Sequence, residues 1–114
     1  MEENLINTIK NNKIFSTLTD KDIEKILPLL TRMSLHPHET LFYRGDPSEE
    51  LYILVSGKLS AALTSPTGDT RIIGQIDAGE VVGESGALTA EPRALTIKAL
   101  EESILYRLAS KHFI

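Results

Sequence analysis

The stretch GESGALTAEPRALT, Gly83 to Thr96, holds one carboxylate near its start, Glu84, one guanidinium just after a proline, Arg93, and mostly small residues in between. If Glu84 to Thr89 forms a short helical turn entered from Gly83, its first amides have no intrahelical acceptor, and their dipoles are a general recipe for holding an anion. Gly83 and Gly86 permit unusual torsions and close approach by a ligand, and Ala87 adds little bulk. Pro92 fixes its own φ and biases Glu91 towards extended backbone, which would deliver Arg93 at a defined point. An arginine suits a phosphate because its planar fork donates two parallel hydrogen bonds. Glu84 would repel the same phosphate, so its place in such a site is as an acceptor for neutral hydroxyls. A phosphate beside a diol is a nucleotide with its ribose. One strong cation matches a singly charged phosphodiester better than a triphosphate, and the chain lacks the G-x-x-x-x-G-K-[ST] loop of triphosphate sites. The residues alone leave a plainer reading open, in which Glu84 and Arg93 are a surface pair flanking a loop.

The elements that must position these residues change character along the chain. Leu5, Ile6 and Ile9, then Ile23, Ile26, Leu27 and Leu30, recur at near-helical spacing. Thr19 followed by Asp22 has the form of a capping box, which predicts a helix start near Asp20, and Pro28 should shorten or bend that helix. Two short helices are therefore expected in the first thirty or so residues. From Met33 onwards short runs rich in β-branched and aromatic residues take over, at Thr40–Tyr43, Leu51–Val55, Leu59–Leu63, Arg71–Ile76, Leu95–Leu100 and Ile104–Leu108. Turn signals separate them, among them Arg44-Gly45-Asp46-Pro47, Ser56-Gly57-Lys58 and Asp77-Ala78-Gly79. No interval has room for a crossover helix, so the expected fold is mainly β, an antiparallel roll or sandwich. Ser110 to Phe113 resembles the capped opening of a further helix; so short a helix cannot hold itself, and the chain is expected to be a fragment of a larger protein.

Composition bounds the function. A chain of 114 residues with 41% hydrophobic and 25% charged residues is one domain with a single core. It has no cysteine, which removes disulfides, thiolate catalysis and cysteine-based metal sites. Twelve Lys and Arg against sixteen Asp and Glu give a net charge of -4, and the bases are scattered, a poor footprint for direct nucleic-acid binding. The N-terminus lacks the pattern of a signal peptide, and no apolar run approaches the roughly 18 residues of a membrane span. His36-Pro37-His38-Glu39 has metal-binding residue types at poor spacing and reads as a solvated turn. Ser85 and Ser56 lack a histidine base and the G-x-S-x-G context, so no catalytic residue is assigned. Tyr43, Tyr52 and Tyr106 read as core or rim aromatics of the strands.

The run GEVVGESGALTAEPRALTIKA, Gly79 to Ala99, closely resembles the phosphate-binding cassette of cyclic nucleotide-binding domains, approximately G-E-x-F-G-E-x-A-L-L, a few residues, then P-R-A-A-T-V. LFYRGDPSEELYILVSGKL, Leu41 to Leu59, resembles the same family's strand, Gly-Asp turn, strand and glycine hairpin, and the similarity extends from about Thr19 to Phe113. The resemblance implies a jelly-roll-like double-stranded β-roll with short N-terminal helices, a short helix within the cassette and a truncated C-terminal helix. It implies a non-catalytic regulatory domain over residues 1–114. In it Arg93 pairs with the cyclic phosphate, Glu84 accepts from the ribose 2'-hydroxyl, Gly83 approaches the ribose, and Gly86 and Ala94 offer amides to the phosphate. Ser85 and Ala87 belong to the same cassette, and Leu63, Ile73 and Val82 are expected in the pocket wall. Ala94 stands where the family often has Thr or Ser when cyclic GMP is preferred, so cyclic AMP is the expected ligand and no cofactor is implied.

Three departures bear on affinity. Val82 stands where the family usually has Phe, Gly86 where Ala is frequent, and Leu95 where the second Ala of R-A-A-T would be. None removes a hydrogen-bonding group named above. The rival reading is a ligand-incompetent structural or protein-interaction module on the same roll. Expected partners are a cyclic nucleotide and a covalently attached effector domain of unknown type, with no direct nucleic-acid or membrane contact by this segment. The expected location is the cytoplasm or the cytoplasmic face of a membrane protein.

Overall fold

Helix α1, Glu2–Asn11, opens the fold, followed by a 3-10 turn at Lys13–Phe15, helix α2 at Asp20–Ile26 and a second 3-10 turn at Leu27–Leu29. This is a computed structural model, and it describes residues 2–84 and 91–113. The start of α2 is set by a reciprocal cap: the Asp22 amide donates to Thr19 Oγ1 at 3.2 Å, and the Thr19 amide donates to Asp22 Oδ2 at 3.0 Å. The helix gives way to the 3-10 turn that contains Pro28, where the ring cannot continue the α-helical ladder.

Eight strands follow, namely β1 Thr31–Leu35, β2 Thr40–Phe42, β3 Glu50–Ser56, β4 Lys58–Thr64, β5 Thr70–Asp77, β6 Val81–Val82, β7 Thr96–Ala99 and β8 Ser103–Ala109; helix α3 is Ser110–Phe113. Two four-stranded antiparallel sheets result, ordered β1-β8-β3-β6 and β2-β7-β4-β5. The architecture is thus the mainly β, jelly-roll-like fold with short terminal helices. The expected cassette helix, Glu84 to Thr89, lies largely outside the described residues. Two strands escaped the sequence reading. β1 has a mostly exposed pattern and owes its existence to pairing with β8, Thr31 opposite Arg107 through Leu35 opposite Ser103. β6 is only two residues, held by Tyr52 opposite Val82 and Ile53 opposite Val81.

Successive side chains of a strand point to opposite faces, so the run Leu51-Tyr52-Ile53-Leu54 serves two cores. Leu51 and Ile53 join Leu5, Ile9, Phe15, Ile23 and Leu108 in a cluster that seats the N-terminal helices on one face of the first sheet. Tyr52 and Leu54 join Leu35, Leu59, Ala61, Val82, Ile97, Ala99 and Leu105 between the two sheets. The tight turn from β3 to β4 depends on Gly57. Its φ is +100°, and a Cβ there would stand 2.6 Å from the Glu102 carbonyl oxygen and closer still to Ser103 Oγ.

Candidate functional site

The backbone of Arg93 is pinned before its side chain is considered. The turn after β2 is closed by the Asp46 amide donating to the Tyr43 carbonyl at 3.0 Å and by the Tyr43 amide donating to Asp46 Oδ2 at 2.9 Å. That turn then clasps Arg93 on both sides: the Arg93 amide donates to the Asp46 carbonyl at 2.9 Å, and the Gly45 amide donates to the Arg93 carbonyl at 2.8 Å. Ser48 Oγ donates to the Glu91 carbonyl just upstream. Arg44-Gly45-Asp46-Pro47, legible in sequence as a turn, is therefore the anchor of the cassette's far end.

The Arg93 side chain runs inward and is only 6% exposed. Its Nη1 donates to the Gly83 carbonyl at 3.0 Å and its Nη2 to the Glu50 carbonyl at 2.5 Å. The guanidinium carbon lies over the Phe42 ring, 4.2 Å from its centroid, and 5.9 Å from that of Tyr52. Nε is buried without a hydrogen-bond partner among the described residues. Burial lowers the Arg93 pKa below its ordinary value, opposed by Tyr52, Glu50, Asp46 and Glu84. Arginine stays charged at physiological pH even so, and the result is a cation taken out of water whose Nε–H has no acceptor among the described residues.

Gly83 is what lets the guanidinium come so close. Its φ of +82° is left-handed backbone, and a Cβ on it would collide with Arg93 Nη1. Beside this contact lies a cavity of about 470 Å³, within the range of small-ligand sites. Gly83, Glu84, Arg93 and Ala94 line one side, and Phe42, Ala61, Ile76, Val82, Leu95 and Ile97 form an apolar wall. Val82 is buried, and Leu95, just before β7, packs against the inter-sheet cluster.

Of the residues singled out in the sequence, the fold thus gathers Val82, Gly83, Glu84, Arg93 and Ala94 around one cavity. Ser85, Gly86 and Ala87 lie outside the described residues. Leu63 and Ile73 are not on the wall and stand 47% and 54% exposed. Strand β7 covers β4 only from Leu59 to Ala62, so Leu63 projects past the paired region. Ile73 falls at a register shift, where Ala61 pairs with Gly74 and Ala62 with Ile72. Ala61 and Ile76 take the wall places instead. Phe42, Glu50 and Tyr52 are neighbours of Arg93 that sequence reasoning missed. Phe42 and Glu50 reach Arg93 from about fifty and forty residues away, a relation no local pattern records. Elsewhere, His36 Nδ1 lies 2.8 Å from Glu102 Oε1 and the His36 amide donates to Glu39 Oε1 at 2.6 Å; no three metal-ligating side chains converge among the described residues. No helix among them is long and apolar enough to cross a membrane.

The family model for the cyclic nucleotide-binding domain matches residues 32–114, and the chain belongs to that family. Its fold is that of the family's regulatory, non-catalytic domains. The regulatory domain of a Toxoplasma gondii protein kinase A, solved with cyclic AMP, superposes with a TM-score of 0.93 at 26% identity, over 98% of this chain and 42% of that one. An uncharacterized NTE family protein of Mycobacterium tuberculosis (strain H37Rv) is 24% identical over 105 residues, 92% of this chain and 17% of that protein. Patatin-like phospholipase domain-containing protein 6 of Homo sapiens is 32% identical over 68 residues, 60% of this chain and 5% of that protein. The chain therefore spans less than a fifth of the length of these two sequence relatives.

Proposed function

We propose that this domain binds a cyclic nucleotide, cyclic AMP in preference to cyclic GMP, with Arg93 donating to the cyclic phosphate and Glu84 accepting from the ribose 2'-hydroxyl. The observation that carries the reading is the buried Arg93 guanidinium on the cavity wall, whose Nε has no partner among the described residues. A buried donor left unmade costs about 1–3 kcal/mol, a cost that a structural arginine has no reason to bear and a phosphate oxygen would remove. Glu84 lines the same cavity and stands close enough to oppose the burial of the Arg93 charge, so the hydroxyl and phosphate ends of a nucleotide would find their partners together. The apolar wall from Phe42 to Ile97 offers the base a surface without charge. Ala94, with no hydroxyl to offer a guanine, supports adenine.

Titration calorimetry with cyclic AMP tests the reading. Arg93→Ala should cost about 2–5 kcal/mol, a loss of roughly 30- to several-thousand-fold in affinity. Glu84→Gln should lose preference for cyclic AMP over its 2'-deoxy analogue. Equal binding by wild type and Arg93→Ala would sink the assignment, and a wild type that binds neither nucleotide would favour the ligand-incompetent module.

The domain is proposed to be one module of a longer protein. The two sequence relatives, both much longer, carry names of an NTE family and a patatin-like phospholipase, so the effector class they support is a hydrolase of phospholipid esters. The reading frame around residues 1–114 decides this directly: an attached hydrolase domain is expected, and a DNA-binding or kinase-inhibiting segment in its place would overturn it.

A further inference from the structure

We infer that Phe42 is the positioning residue for Arg93, and that its ring sets how strongly the pocket discriminates a charged ligand from a neutral one. The inference rests on the functional reading above and adds a residue to it. Two carbonyls, from Gly83 and Glu50, fix the guanidinium within its own plane through Nη1 and Nη2. Neither stops it from tilting out of that plane. The Phe42 ring does, lying 4.2 Å from the guanidinium carbon, and it does so with its π-face, which spends none of the N–H donors. An aromatic face is also one of the few apolar surfaces that attracts a cation, so it offsets part of the cost of burying the charge without adding a carboxylate that would compete with a phosphate.

The placement is built into the fold. Phe42 ends β2, and the turn that begins at its neighbour Tyr43 clasps the Arg93 backbone from both sides. Phe42 also pairs with Ile97 in β7, the strand that Arg93 leads into. One short stretch, 42–46, thus holds both ends of Arg93, its backbone by hydrogen bonds and its head by a ring. Tyr52 supports the ring, with centroids 6.0 Å apart.

The test uses Phe42→Leu, which keeps an apolar wall but removes the face, and Phe42→Tyr, which keeps the face. Calorimetric titration with cyclic AMP should show a loss of about 2- to 30-fold for Phe42→Leu, with Phe42→Tyr within about 3-fold of wild type. Binding of adenosine, which has the same base and sugar without the phosphate, reports what the wall itself loses and should fall by a smaller factor than binding of cyclic AMP in Phe42→Leu. A Phe42→Leu protein that binds cyclic AMP like wild type, or one that loses adenosine and cyclic AMP by the same factor, overturns the proposal. A second readout needs no ligand. The Arg93 Nε–H resonance, assigned by its disappearance in Arg93→Lys, should exchange slowly with solvent and be shifted by the ring, and should move towards the free-arginine position in Phe42→Leu. An unmoved resonance overturns the stacking. Failure of wild type to bind cyclic AMP, with the resonance behaving as expected, overturns the ligand reading and leaves the positioning of Arg93 by Phe42 supported.

Discussion

The two hydrophobic clusters of this domain share strand β3 and differ in what they leave open. On the helix side, Leu51 and Ile53 are fully buried in a hydrophobic cluster with Leu5, Ile9, Phe15, Ile23 and Leu108. On the inter-sheet side, Tyr52 and Leu54 face a cluster whose members Ala61, Val82 and Ile97 also line the cavity, with the Arg93 guanidinium seated at its edge. Period-two alternation lets one strand spend odd positions on stability and Tyr52 on the site. The lesson is that binding and folding should separate by residue parity along β3.

The sharpest way to break that comparison is Ile53→Ala. A deletion in a closed cluster should destabilise the domain by about 2–5 kcal/mol in chemical denaturation, while cyclic AMP affinity of the folded protein stays within about twofold. A matching collapse of affinity would mean that the two faces act as one. Gly83→Ala attacks the other side. Its Cβ would displace Arg93 Nη1, and loss of that charge-assisted bond should weaken cyclic AMP binding by about 10- to 100-fold, with a smaller loss of stability from the left-handed backbone. Full affinity in Gly83→Ala would show that the Gly83 carbonyl does not hold the guanidinium.

Smaller effects separate the margins of the two clusters by pH. Burial raises the Tyr52 pKa, helped by the nearby Glu50 charge, so the folded state holds the phenol proton more tightly than the unfolded one. That contribution is present below the ordinary phenol range and is lost as pH rises through the folded value; Tyr52→Phe should flatten the alkaline fall in melting temperature. Asp22 behaves oppositely. The Thr19 amide, with the Thr19 hydroxyl and Lys25 adding to it, holds its carboxyl below the ordinary range. Its contribution is present above that range, neutral pH included, and is lost as pH falls through the folded value, so Asp22→Asn should lower stability slightly at neutral pH and flatten the acid-side fall.

How much of this was legible depends on how far apart the partners lie. Thr19 and Asp22 announce the start of α2 because a cap is completed within one turn of chain. Ser56-Gly57-Lys58 announces the β3–β4 turn because left-handed backbone is a local demand. β1 and β6 were not legible, since neither carries strong alternation and both form by pairing with strands far away. The proposed phosphate and hydroxyl roles of Arg93 and Glu84 rest on residue type and spacing and on the family resemblance, while the cavity that both line came from the fold. Leu63 and Ile73 looked equally suited to a wall, yet the short reach of β7 and the register shift in β5 put both outside.

The amino-acid sequence by itself determined the helix caps, the turns, the two-sided character of β3 and the pair of charged groups in a cassette of small residues, because each of these is settled within a few neighbouring positions. Only the tertiary structure decided that Arg93 is buried, that Gly83 and Glu50 receive its donors, and that Phe42 lies beneath its face. Those relations join residues ten to about fifty apart along the chain, and what brings them together is the closing of two sheets over one core.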